Sequence, residues 1–203
     1  MKTKLLARLA FLMALAQVVL ILVSWIIAAA MPSAAVRSLL STEGIRWFFG
    51  RFTSNLSSPL LVWLLLLAVA WGAWRTSGLP QALRMVVAKR PLSFRQRFAF
   101  QLVVAEAIVF LAVISLLTLP SHAILASATG TLFPSSFSRS LVPIVAFAVS
   151  AVSLSFAAAT GACPSLQHAF RMLTVGISRS APLWLILILA LQLFHSFLFV
   201  FFR

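Results

Sequence analysis

This chain of 203 residues is 63% hydrophobic and 9% charged, with a mean hydropathy of +1.11. Water-soluble domains carry roughly a quarter charged residues, which excludes a soluble fold here. Sixteen Lys and Arg against two acidic residues leave a net charge of +14. The cations sit in the gaps between apolar runs, so they point to membrane topology and anionic lipid. Nucleic acid is not an expected partner, because no basic groove interleaved with stacking aromatics is present.

The chain opens with MKTKLLAR, and an apolar run follows over about 9–31. Ala28, Ala29 and Ala30 resemble a signal-peptide cleavage site. The run is nevertheless longer than a signal core of roughly 7–15 residues and long enough to cross about 30 Å of hydrocarbon. The expectation is a retained first span with a cytoplasmic N-terminus.

Residues 37–75 are the most informative stretch. Ile45, Phe48, Phe49, Phe52 and Leu56 recur in steps of three and four, which gives one greasy side to a helix over about 42–56. Thr42 is the expected cap, and Glu43 falls in the first turn, where a negative charge is favoured. Arg46, Arg51 and Asn55 interrupt the apolar run, so this helix is expected to lie flat at the membrane surface. Uninterrupted apolar sequence over 59–74 is the second span.

The segment SLLSTEGIRWFF, followed by TSNLSSPLLVWLLLLAVAWG and SGLPQALR, resembles the region around the second membrane helix of the p-aminobenzoyl-glutamate transporter (AbgT) family. The matching polar and glycine positions include Ser41, Glu43, Gly44, Arg46 and Asn55, and the resemblance covers roughly a fifth of the chain. It implies a transporter-like inner-membrane architecture and transport of p-aminobenzoyl-glutamate or related antimetabolites. Asn55-Leu56-Ser57 also fits the glycosylation pattern, a short pattern that chance supplies often.

Residues 75–97 form the most basic segment, with Pro80 suited to the first turn of a short helix behind Ser77 or Gly78. A third span is expected over about 98–119. The segment 121–140, rich in Ser, Thr, Pro and Gly, reads as an external loop with an apolar turn at Ile124 and Leu125. A fourth span over 141–160 carries a stripe of small residues, Ala146, Ser150, Ser153 and Ala157, which lets backbones approach closely and places it centrally. Residues 161–180 are expected to be a cytoplasmic connection, with Pro164 starting a short helix, and 181–202 the fifth span.

Five spans put the two ends on opposite sides. With the N-terminus inside, three cations before the first span, six in 75–97 and two in 161–180 are cytoplasmic, eleven of the sixteen. That asymmetry favours this orientation in a bacterial inner membrane. The segments Pro80–Met85 and Pro164–Met172 resemble each other. They are either a parallel internal repeat or two basic interfacial helices that look alike.

Glu106 is the one acid inside a span, roughly 12 Å from Phe98 along the helix and near mid-membrane. It is either a proton or cation carrier or a neutral acid tying two helices together. Gln17 comes to a similar depth on the first span and is its expected hydrogen-bond partner. Gln192, His195 and Ser196 share a face of the fifth span, as a proton relay or as helix-to-helix glue. His122 and His168 lie in expected loops without acidic neighbours, and Cys163 reads as a packing residue.

No nucleophile–base pair, phosphate loop or metal cluster appears, so no enzymatic activity, cofactor or metal is expected. The fold expected is all-α and polytopic, a single integral membrane domain over 1–203. It has about five transmembrane helices plus interfacial amphipathic helices, with lipid, further copies or other membrane subunits as partners. Transport and a non-transporting accessory or scaffold role are both open at this stage.

Overall fold

A computed structural model describes residues 2–31, 35–118 and 136–202. It is helical over 86%, with no strand among the described residues, and five helices are long and apolar enough to cross a membrane. The all-α, polytopic architecture follows from that. Of the loop expected at 121–140, residues 121–135, with His122, Ile124 and Leu125, lie outside the described residues, whereas 136–140 are not loop but the start of the helix Ser136–Thr160.

Among the described residues eight helices run in chain order: α1 (Lys2–Ala30), α2 (Thr42–Gly50), α3 (Phe52–Leu56), α4 (Pro59–Thr76), α5 (Leu79–Val87), α6 (Phe94–Thr118), α7 (Ser136–Thr160) and α8 (Leu166–Phe201). They divide between two compact units. The first comprises 1–62 and 180–203, the second 63–179.

In the first unit, α1 is apolar all round, as a span requires. Ser24, fully buried, accepts from the backbone N–H of Leu39 at 3.1 Å and donates to the Ile21 carbonyl at 2.8 Å. It thereby pins the turn after α1. Leu39 is buried with Phe199 and Val200 of α8, and Trp47 of α2 stacks on Phe199 with ring centroids 4.4 Å apart.

Two expectations for the surface helix are corrected. Its cap is Ser41 rather than Thr42. Ser41 has extended backbone angles and its hydroxyl accepts from the Gly44 N–H at 3.0 Å, whereas Thr42 already lies inside the helix. The helix also does not run unbroken to Leu56. Arg51 leaves helical geometry and splits it into α2 and α3. Ile45, Phe49 and Phe52 are exposed, as a lipid-facing surface would have them, while Gly44 and Trp47 face the protein.

In the second unit, α7 is the helix against which both α5 and α6 pack. Its buried positions, Ala146, Ser153, Phe156 and Ala157, follow the small-residue stripe, with Ser150 half-buried. Phe156 joins Leu79 and Ala82 of α5 with Ala99 and Val103 of α6. Gly78 caps α5 in the left-handed region, at φ +81°, and Pro80 lies in the first turn as its fixed φ favours. Ser93 and Gln96 start α6 with a capping box, each bonding the other's backbone N–H.

The largest departure from expectation concerns 161–180. Only Gly161 to Ser165 connect. From Leu166 onward the chain is one helix of 36 residues, continuous with the fifth span. Ser165 caps it through the His168 N–H, and Pro164 precedes it. Pro182 lies inside the helix, a placement that membrane helices tolerate because other groups re-satisfy the freed backbone. At 1.5 Å per residue α8 is roughly 54 Å long, more than a hydrocarbon core of about 30 Å requires. Within the second unit this early part of α8 meets α4. A Cβ on Gly72 would fall 2.6 Å from the Gly176 nitrogen and 2.9 Å from the Met172 carbonyl oxygen.

Candidate functional site

The polar residues singled out inside the spans fall in two places. In the first unit, the Gln17 amide on α1 donates to the Ser196 hydroxyl on α8 at 3.0 Å. The Gln17 donor, expected from matched depths to reach Glu106, is used on the α8 hydroxyl, and the Gln17 carbonyl oxygen has no partner among the described residues. Equal depth fixes a height in the membrane and says nothing of the direction a side chain faces.

Gln192 and Ser196, four residues apart on α8, are both buried. Neither polar atom of the Gln192 amide has a partner among the described residues. His195 is half-buried and turned aside. Its Nδ1 lies 2.9 Å from the Leu191 carbonyl of its own helix, so that nitrogen carries the proton. The Phe194 ring meets it edge-on. The α8 stripe thus does what helix-to-helix glue does at Ser196, while His195 is occupied by its own backbone.

In the second unit, Glu106 is half-buried on α6, and its Oε2 is shielded from solvent without a hydrogen-bond partner among the described residues. The Ser153 hydroxyl on α7 is likewise buried and unpartnered, whereas Ser150 bonds back to the Ala146 carbonyl at 2.7 Å. Residue 106 lies between Val103, in contact with the Phe156 cluster, and Phe110, whose ring meets Phe147 edge-on. That places Glu106 within the stretch of α6 that packs on α7.

The residues of the 38–55 motif have structural work in the first unit. Ser41 caps α2 and donates its hydroxyl proton to the Ser38 carbonyl at 2.7 Å. Gly44 lies so close to the 38–39 backbone that a Cβ would fall 2.6 Å from the Leu39 Cα. Glu43 forms an ion pair with Arg37 at 3.8 Å, and the Arg37 guanidinium lies 5.4 Å from the Phe199 ring centroid. Arg46 is exposed. Asn55 is buried, with its amide nitrogen unpartnered. Sequence reasoning missed two residues of this kind. Ser24 showed only as a lone serine in an apolar run, and Gly176 was hidden in a segment read as a connection.

Apolar grooves open on both units. One of about 550 Å³ is lined on α1 and α8 by Met13, Ala16, Leu20, Leu193, Phe194 and Phe197 among others. A second of about 310 Å³ includes Leu6, Ala10 and Pro182. On the second unit, one of about 390 Å³ lies along Leu66, Val69, Phe147 and Ser150. None of the three is lined by Glu106, Gln17, Gln192 or His195. No group of three His, Cys, Asp or Glu that could hold a metal occurs among the described residues. Compared with models of protein families, with curated proteins and with solved structures, the chain matches none.

Proposed function

We propose that this chain is an integral protein of the bacterial inner membrane, N-terminus inside and C-terminus outside, acting as an accessory or scaffold subunit of a membrane assembly. One observation carries the reading: the three grooves described are apolar, and the half-buried acid of α6 lines none of them. A solute pathway needs convergent polar groups facing a solvated cavity. A subunit that lodges among other helices needs apolar, close-packing faces. The unpartnered amide of Gln192 supports the same view, since a buried polar group is costly until something bonds it. The AbgT-like stretch fits here as the inherited geometry of a surface helix docked on the first and last spans.

The test is the mass of the assembly purified in mild detergent, together with uptake of p-aminobenzoyl-glutamate into proteoliposomes holding the chain alone. An assembly larger than one chain with no uptake above empty liposomes is the expected result. A lone monomer that drives uptake overturns it.

The second reading, transport of a p-aminobenzoyl-glutamate-like solute, is favoured by the unpartnered carboxylate oxygen of Glu106 in mid-helix. In that case Glu106→Gln lowers the flux at least about 10-fold, as removal of a proton or cation carrier does. Unchanged flux in that variant ends the carrier role.

A further inference from the structure

Six cations, Arg75, Arg84, Lys89, Arg90, Arg95 and Arg97, fall within 23 residues of the second unit, from the end of α4 to the start of α6, and all are exposed. The chain has almost nothing with which to neutralise them. Of its two acids, Glu43 is paired with Arg37, and Glu106 lies roughly 13 Å beyond Arg97 along α6. The counter-charge must come from another molecule.

The backbone between α5 and α6 holds these groups in a defined arrangement. At the end of α5 the Lys89 N–H donates to the Val86 carbonyl at 3.0 Å and the Arg90 N–H to the Met85 carbonyl at 2.8 Å. This is a Schellman turn, whose left-handed position is usually a glycine. Here it is Lys89, at φ +52°, an unfavourable conformation for a side chain. Leu79 and Ala82 are buried against Phe156, which fixes the roll of α5 and leaves Arg84 outward. Flanking the cations stand Val87, 79% exposed, and Phe94, 87% exposed. Exposed apolar tips beside a band of cations are the chemistry of a membrane interface carrying anionic headgroups. A single-stranded nucleic acid would need a succession of aromatic faces along the band, and between Arg75 and Arg97 the sequence holds one aromatic, Phe94.

We infer that α5 and the 88–97 turn form a headgroup site for an anionic phospholipid. Lys89 and Arg90, supported by Arg84 and Arg95, meet the phosphate, and Val87 and Phe94 enter the acyl layer. The site stands whether the chain scaffolds or transports.

The full chain, purified in detergent, is titrated with phosphatidylglycerol or with phosphatidylcholine of the same acyl chains, and bound lipid is counted by native mass spectrometry. Phosphatidylglycerol binds about 25-fold more tightly, at about fivefold for each of Lys89 and Arg90. Lys89→Gln with Arg90→Gln removes that preference and leaves phosphatidylcholine unchanged, whereas Lys89→Arg with Arg90→Lys retains it. Lys89→Gly places the residue the turn prefers, so its expected loss of about fivefold is not attributable to misfolding. Equal affinity for the two lipids, an unchanged preference in the double glutamine variant, or displacement of phosphatidylglycerol by a single-stranded oligonucleotide overturns the site.

Discussion

The two units hold their helices together by different means. In the first, the junction of α1, the 38–47 turn and the end of α8 depends on directed interactions. Ser24 satisfies the Leu39 N–H, Ser41 caps α2, the Arg37 N–H donates to the Val200 carbonyl, and Trp47 lies flat on Phe199. In the second, α4 and the start of α8 meet backbone to backbone where Ala68, Gly72 and Gly176 leave room. Lipid tails are as apolar as leucine, so neither contact gains much from burying hydrocarbon. What remains is hydrogen bonding in one place and close van der Waals approach in the other. The lesson is that a small-residue crossing is intolerant of added volume, whereas a hydrogen-bonded junction is intolerant of lost partners.

That contrast can be broken at three points, taken from the largest effect down. Gly176→Val should be the most damaging, because its Cβ would overlap the Ala68 backbone, which cannot move aside as a side-chain tip can. A loss of at least about 3 kcal/mol is expected, at the upper end of overpacking costs, read as unfolding at lower denaturant in mixed micelles. Retention of wild-type stability there would mean that α4 and α8 do not cross at these glycines. Ser24→Ala leaves the Leu39 N–H buried and unsatisfied and should cost about 1–3 kcal/mol by the same assay. Faster amide exchange at Leu39 should accompany it. Gln17→Leu removes a single interhelical hydrogen bond, for an expected effect of only about 0.6 kcal/mol. A loss several times larger would show that Gln17 also engages a group beyond Ser196.

Much of this was legible before any coordinates. Apolar runs marked five spans because a lipid-embedded helix must be apolar along its length, and their number and type match the five long helices. The stripe from Ala146 to Ala157 marked the buried face of α7 because small side chains have no other strong reason to recur at helical spacing. Pro80 and Gly78 marked the start of α5 through their own backbone restrictions.

Other features escaped for identifiable reasons. The 166–180 segment looked like a connection because it carries Arg171 and Arg179, yet one continuous helix runs through both. Ser41 and Thr42 are equally good caps by type, and only the backbone angle at Ser41 separates them. The Gln17 partner depended on rotation about the axes of α1 and α8, and hydropathy is nearly uniform around such helices.

Composition and the order of apolar and basic segments by themselves determined that this is a membrane protein of helices, where those helices fall and where its cations gather. These are properties of transfer between water and lipid, which act on each segment separately. Tertiary structure alone decided which face of each helix meets another: Ser24 against Leu39, Gly72 against Gly176, Gln17 against Ser196. Inside lipid those choices turn on contacts of a few ångströms and single hydrogen bonds, and a one-dimensional pattern of hydrophobicity carries no record of them.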